Sequence, residues 1–255
     1  MTVAVPQSLL LALLLASVRA AAWLTVCPPF AGRRLPCAAK ALLSVAIALP
    51  LVPEVATRVP VAYSTPGLMA EIVVQVLVGA GLGFCTQLFV AAVQSAGSLI
   101  DLSGGFSIAF AFDPLSSSVN SVFGRFYNLT AITLLFSTGS YQIILAGFAR
   151  SYRALPPGDG LSMERMQRLV TGGITEMFLS AMQIAGPLLV VLFLADLVLG
   201  LLSRVSPSLN VFGLGFPAKI LLTLLLAGSA LALLPDAVVG LAERAVTAVL
   251  GLLGT

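Results

Sequence analysis

The chain has 255 residues, of which 59% are hydrophobic and 9% charged, and its mean hydropathy is +1.08. A soluble domain carries about 25% charge, so this chain cannot cover its own surface with polar groups. That excludes a soluble enzyme and a disordered tail, and the net charge of +3 holds no Lys/Arg cluster able to neutralise a nucleic-acid backbone. Histidine is absent, which removes the commonest metal ligand and the usual base near neutral pH, so neither a metal nor another cofactor is expected. The composition is that of an integral membrane protein.

Charge positions divide the chain into spans, each needing about 20 apolar residues as helix. The first helix is expected over 7–30. Ser8 to Ala16 resembles a signal-peptide core, and Ala20-Ala21-Ala22 is a possible cleavage site. However, no Lys or Arg precedes the apolar run and Arg19 follows it, which predicts a retained helix. Further helices are expected over 38–52, 68–101, 126–149, 174–203 and 217–235, with a kink in the fifth at Gly186-Pro187. The longest polar connection runs from Arg150 to about Thr171. A last apolar stretch from Ala237 to Gly254 contains Glu243 and Arg244 and is expected to lie along the interface. Alternating segments of barrel type are missing. The predicted fold is therefore all-α, with about six long hydrophobic helices, at least one of them kinked or re-entrant. Cys27, Cys37 and Cys85 lack CxxC spacing and read as thiols among apolar residues.

The positive-inside rule does not orient this chain. On a six-span layout Arg33, Arg34, Lys40, Arg125, Arg204 and Lys219 fall on one side. Arg58, Arg150, Arg153, Arg165, Arg168 and Arg244 fall on the other. The third helix, at about 1.5 Å per residue, is roughly 50 Å long and exceeds the bilayer core. Gly83, Gln87, Gln94, Ser98 and Asp101 share one of its faces, a polar stripe that suits either a helix–helix seam or a pore lining. Gly79 and Gly83 form a GxxxG step of the kind that lets helices approach closely in a packed oligomer.

The stretch from Asp101 to Asn120 is unlike the rest. It pairs Gly104 with Gly105, spaces Phe106, Ile108, Phe110 and Phe112 two residues apart, and turns at Asp113-Pro114. It is too short for a span and too apolar for water, so it should be buried in protein or line a cavity. Both a plug sealing a channel and a structural re-entrant turn fit it.

Four charges, Arg19, Glu71, Asp101 and Asp196, fall in or at the ends of apolar helices, where ion pairing or proton coupling would explain them. Glu164 and Arg168, at i and i+4, read as a solvated helix face. Scattered acids argue against an enzyme. A secondary transporter using intramembrane carboxylates is the rival class, although the paired halves it would need are not visible.

Several stretches together resemble one family. Pro29-Phe30 with Arg33, Pro36 and Lys40 matches its first helix junction, and Gly79-Ala-Gly-Leu-Gly83 with Gln94 and Gly97 its long glycine-rich helix. Gly105-Phe-Ser-Ile-Ala109 leading to Asp113-Pro114 matches its pore-plug segment. Pro207-Ser-Leu-Asn-Val-Phe212, then Gly215, Pro217 and Lys219, is close to its Pro-Gln-Leu-Asn-Val-Phe signature, with Ser208 in place of Gln. The sequence thus resembles the R subunit of the flagellar type III export gate (FliR), related to the T subunit of virulence secretion systems (SctT).

The resemblance implies a non-enzymatic structural and gating subunit of a multi-pass pore complex. That complex sits in the bacterial inner membrane at the flagellar basal body and passes unfolded proteins. Implied partners are P and Q export-gate subunits, a B-type switch subunit and the exported proteins. Residues 1–150 would form a P-like helical half and 151–255 a Q-like hairpin half. Gly104 to Phe123 would be the plug, sealed by Phe106, Ile108, Phe110 and Phe112. Asn210, Phe212, Pro217 and Lys219 would form a packing corner.

Overall fold

A computed structural model of the protein describes residues 6–28, 30–31, 35–59, 64–106, 121–159, 162–206 and 211–253. Every regular element among these is helical. In chain order they are α1 (Gln7–Val26), α2 (Cys37–Ala48), α3 (Val52–Ala56), α4 (Thr65–Gly104), α5 (Val122–Ser137), α6 (Ser140–Ala154), α7 (Met163–Val205), α8 (Val211–Ala230) and α9 (Leu234–Leu253). Five helical stretches are long and apolar enough to cross a membrane, and a sixth results when the bent pair α5–α6 is counted as one span. The protein is an all-α, multi-pass membrane protein.

Prolines and glycines set most of the boundaries. Pro6 and Pro36 stand at the N-caps of α1 and α2, where a missing N–H costs nothing. Pro50 and Pro53 break the second span into α2, a 3₁₀ turn at Leu49–Leu51, and α3. The helix starting at Gln7 ends at Val26, short of the expected residue 30, because Pro28 cannot donate to the ladder. The single helix expected over 126–149 is two helices. Gly139 takes φ +75°, a left-handed conformation that no run of apolar side chains reveals. The expected polar connection from Arg150 to Thr171 is also largely helical, since α6 runs to Ala154 and α7 begins at Met163. Charged side chains at helix ends reach outward from an otherwise apolar element, so polarity there does not mean loop. Two helices exceed their expected length: α4 has 40 residues and α7 has 43, or about 60 Å each at 1.5 Å per residue. The latter continues through Pro187. The last apolar stretch is helical from Leu234 and belongs to a candidate span over Gly215–Ala248.

Two compact units organise the chain. The first comprises residues 1–89, 141–174 and 242–255, and the second residues 90–140 and 175–241. In the first, α1 packs against α2 and α3. Its α1 is sealed by Trp23, whose ring stacks on Phe148 with centroids 4.9 Å apart. In the second, α7 carries an exposed apolar surface that includes Phe178, Val190, Phe193 and Val198. Residues of this kind facing outward in a soluble protein would aggregate; in this chain they suit lipid or a partner helix.

Candidate functional site

The first unit holds a buried polar knot centred on Arg19, whose side chain is fully inaccessible. An isolated guanidinium in an apolar helix is prohibitively costly, so every donor must be matched. Its Nε donates to Gln75 Oε1 at 2.6 Å, and Gln75 Nε2 donates to Glu71 Oε1 at 2.5 Å. The two terminal nitrogens donate to the Ser151 carbonyl at 3.1 Å and the Leu155 carbonyl at 2.8 Å. Those carbonyls lie at the C-terminal end of α6, where the Ser151 carbonyl also accepts from the Leu155 N–H at 2.9 Å and the helix dipole favours a cation. The Tyr152 ring lies 4.2 Å from the guanidinium carbon, and its hydroxyl donates to the Ala16 carbonyl at 2.9 Å. One arginine thereby ties α1 to α4 and α6.

The glycine step on α4 makes that contact possible. A Cβ on Gly79 would strike the Arg19 carbonyl oxygen, and one on Gly83 would lie 2.8 Å from the Trp23 carbonyl oxygen. The GxxxG face is therefore filled by the chain's own α1, a helix packing within one subunit. Gln87, on the predicted polar stripe, is exposed.

The rest of the stripe belongs to the second unit. Gln94 Oε1 accepts from Asn128 Nδ2 at 3.0 Å, which makes this one point of α4 a seam with α5. Ser98 Oγ donates to its own helix at the Gln94 carbonyl. Close packing continues where Gly97 abuts the Phe123 carbonyl and Gly104 abuts Thr223 of α8. Asp101 is 3% exposed, and neither carboxylate oxygen has a hydrogen-bond partner among the described residues.

Both ends of the expected plug, 104–123, are helical. Gly104 is helical in α4, and Phe123 is helical in α5, whose start is capped by Ser121 Oγ accepting from the Gly124 N–H at 2.8 Å. Gly105 takes φ +86°, which ends α4. Phe106 meets Phe123 edge-on with centroids 5.1 Å apart. Ile108, Phe110, Phe112, Asp113 and Pro114 lie outside the described residues.

Of the signature residues, Pro207 and Asn210 also lie outside them, as do Pro29, Arg33 and Arg34. Phe212 is in α8, with its side chain outside the described set. Pro217 lies exposed within α8, and Lys219 Nζ pairs with Asp196 Oδ1 at 2.6 Å. Asp196 is 51% exposed at its side chain, so it is not the buried charge expected from sequence. Of the four intramembrane charges, it alone has an ion pair among the described residues; Arg19 and Glu71 are held by neutral groups. Glu164 and Arg168 form the expected exposed i, i+4 pair. Replacing Asp196 with asparagine should cost about 1–3 kcal/mol, because the Lys219 ammonium, only 12% exposed at its side chain, would lose its carboxylate. Thermal unfolding in detergent checks this; a loss of several kcal/mol would assign the pair a larger role.

Sequence reasoning missed Gln75, Ser151, Tyr152 and Thr223. Only Gln75 leaves a trace, four residues after Glu71 on an apolar helix.

These features define a polytopic helical membrane protein with a glycine-delimited aromatic segment between two of its helices. A family model described as "Bacterial export proteins, family 1" matches residues 10–245. The chain belongs to that family. It is 30% identical over 220 residues to the flagellar biosynthetic protein FliR of Pectobacterium carotovorum, covering 86% of this chain and 83% of that one. FliR of Bacillus subtilis is 34% identical over 149 residues, 57% of this chain and 58% of its own length. The Yop proteins translocation protein T of Yersinia pestis is 31% identical over 175 residues, covering 68% and 67%.

Proposed function

We propose that this chain is a structural and gating subunit of a type III protein export gate in the bacterial inner membrane, at the base of a flagellum. The observation that carries this reading is the family match over nearly the whole chain, together with relatives named for flagellar biosynthesis and for secretion. The chain acts without catalysis, by packing with P- and Q-type subunits around a pore for unfolded proteins and engaging a B-type switch subunit. Residues 1–150 take the P-like part and 151–255 the Q-like part. Exposed apolar surface along α7 supports partners as well as lipid around the second unit.

The segment after Gly104 serves as the plug. Support comes from its flanks: α4 stops at Gly105, and α5 restarts behind the Ser121 cap. A chain held at both ends by packed helices can close a pore without drifting into it.

Co-purification of the full chain with its genomic neighbours tests the assembly: a monodisperse complex with P- and Q-type subunits is expected. A stable monomer or dimer that binds a small solute would instead point to a transporter. Deleting Phe106 to Phe112 in the assembled complex should make the membrane leaky to small solutes, read by dye or ion flux. Unchanged permeability would return the segment to a structural role.

A further inference from the structure

In the first unit, the candidate span over Cys37–Ala56 ends beside the C-terminus of α6 in a group of arginines. The span over Cys37–Ala56 stops two residues before Arg58, and α6 ends at Ala154, just after Arg150 and Arg153. Arg58 Nη1 donates to the Arg153 carbonyl at 3.2 Å, so the two ends touch. Arg153 is engaged with Glu54, Nε to Oε1 at 2.5 Å and Nη2 to Oε2 at 3.1 Å. Arg58 faces the same carboxylate electrostatically. Arg150 lies one turn before Arg153 on α6, is exposed, and has no hydrogen bond or ion pair among the described residues. Arg58 and Arg153 therefore share a single carboxylate, and with Arg150 one turn before Arg153 the group keeps an uncompensated positive charge.

Its place decides what neutralises it. At the ends of membrane spans lie phospholipid headgroups, and an anionic surface attracts each nearby cation. Apolar side chains exposed on the same helices, Leu49 before Arg58 and Leu145 before Arg150, offer acyl chains a surface next to the charges. A guanidinium fork also matches phosphate oxygens better than an ammonium does.

We propose that Arg58 and Arg150 form a binding site for the headgroup phosphate of an anionic membrane phospholipid, with Arg153 held in place by Glu54 as its third wall. The site anchors the first unit at one face of the bilayer.

The test uses the delipidated full chain in neutral detergent, offered phosphatidylglycerol and phosphatidylcholine, with bound lipid counted by native mass spectrometry. Phosphatidylglycerol should be retained preferentially. The double variant Arg58→Gln, Arg150→Gln should weaken its binding about 30-fold, the effect expected for two cations at a membrane surface. Arg150→Gln alone, at an exposed and unpaired position, should weaken it about fivefold without affecting folding. Millimolar inorganic phosphate should fail to displace the lipid. Equal retention of both lipids, an unchanged double variant, or full displacement by inorganic phosphate would each overturn the assignment.

Discussion

Arg19→Leu is expected to remove most of the folded protein from the membrane. Leucine restores the apolar character of α1, so hydrophobicity alone would predict a neutral or helpful change. The structure reverses that expectation. Without the guanidinium, the Gln75 side-chain carbonyl and the Leu155 carbonyl lose a buried partner, the Ser151 carbonyl loses one of its two, and the Glu71 carboxylate loses its nearby positive charge. Breaking a buried charged network by removing one member costs about 3–5 kcal/mol, a large part of the stability of most domains. Arg19→Lys should recover little, because an ammonium cannot span three acceptors on two helices in one plane. Membrane-fraction abundance and thermal unfolding in detergent read both variants. A leucine variant as abundant and stable as the parent would show that the knot contributes nothing net.

Gly79→Val should be comparably damaging, for a steric reason. The added Cβ would meet backbone of α1 at Arg19, not the movable end of a side chain, so the helices must separate. Overpacking of this kind costs about 1–3 kcal/mol, and more where backbone has to shift. Separation would also lengthen the Arg19–Gln75 hydrogen bond, coupling the two predictions, and the double variant should lose less than the sum of its parts. Gly172→Ala on α7 provides the contrast. Among the described residues nothing lies within 4 Å of a Cβ at that position, so alanine should stabilise the helix by up to about 1 kcal/mol through its higher propensity. If both substitutions had the same effect, the close approach of α1 and α4 would not be what the glycine at 79 serves.

Several elements are legible in the order of residues alone. Composition and uncharged runs locate the apolar segments, and the third is visibly too long for a simple crossing. The glycine step at 79 and 83 signals close approach, but small residues only permit contact; they do not say which helix makes it. The break at Gly139 is invisible there because a hydrophobicity pattern carries no information about a positive φ. Arg19 is legible as an oddity, and its role is not. Its partners stand 56, 132 and 136 residues away, and no local spacing connects them.

By itself, the sequence determined that this protein lives in a membrane, that it is helical, and to which family it belongs. Those properties are sums over residues or ordered local motifs, and they hold whatever segments meet in space. Only the tertiary structure decided that the glycine groove is filled from within the chain, and that a lone arginine caps a helix end. It alone placed Asp101 in a buried position with no partner among the described residues and paired Asp196 with the largely buried Lys219. Hydrogen bonds and close contacts depend on which distant segments meet at a few ångströms, and in a chain with so few charges each such meeting settles whether a charge is buried, paired or left facing the lipid.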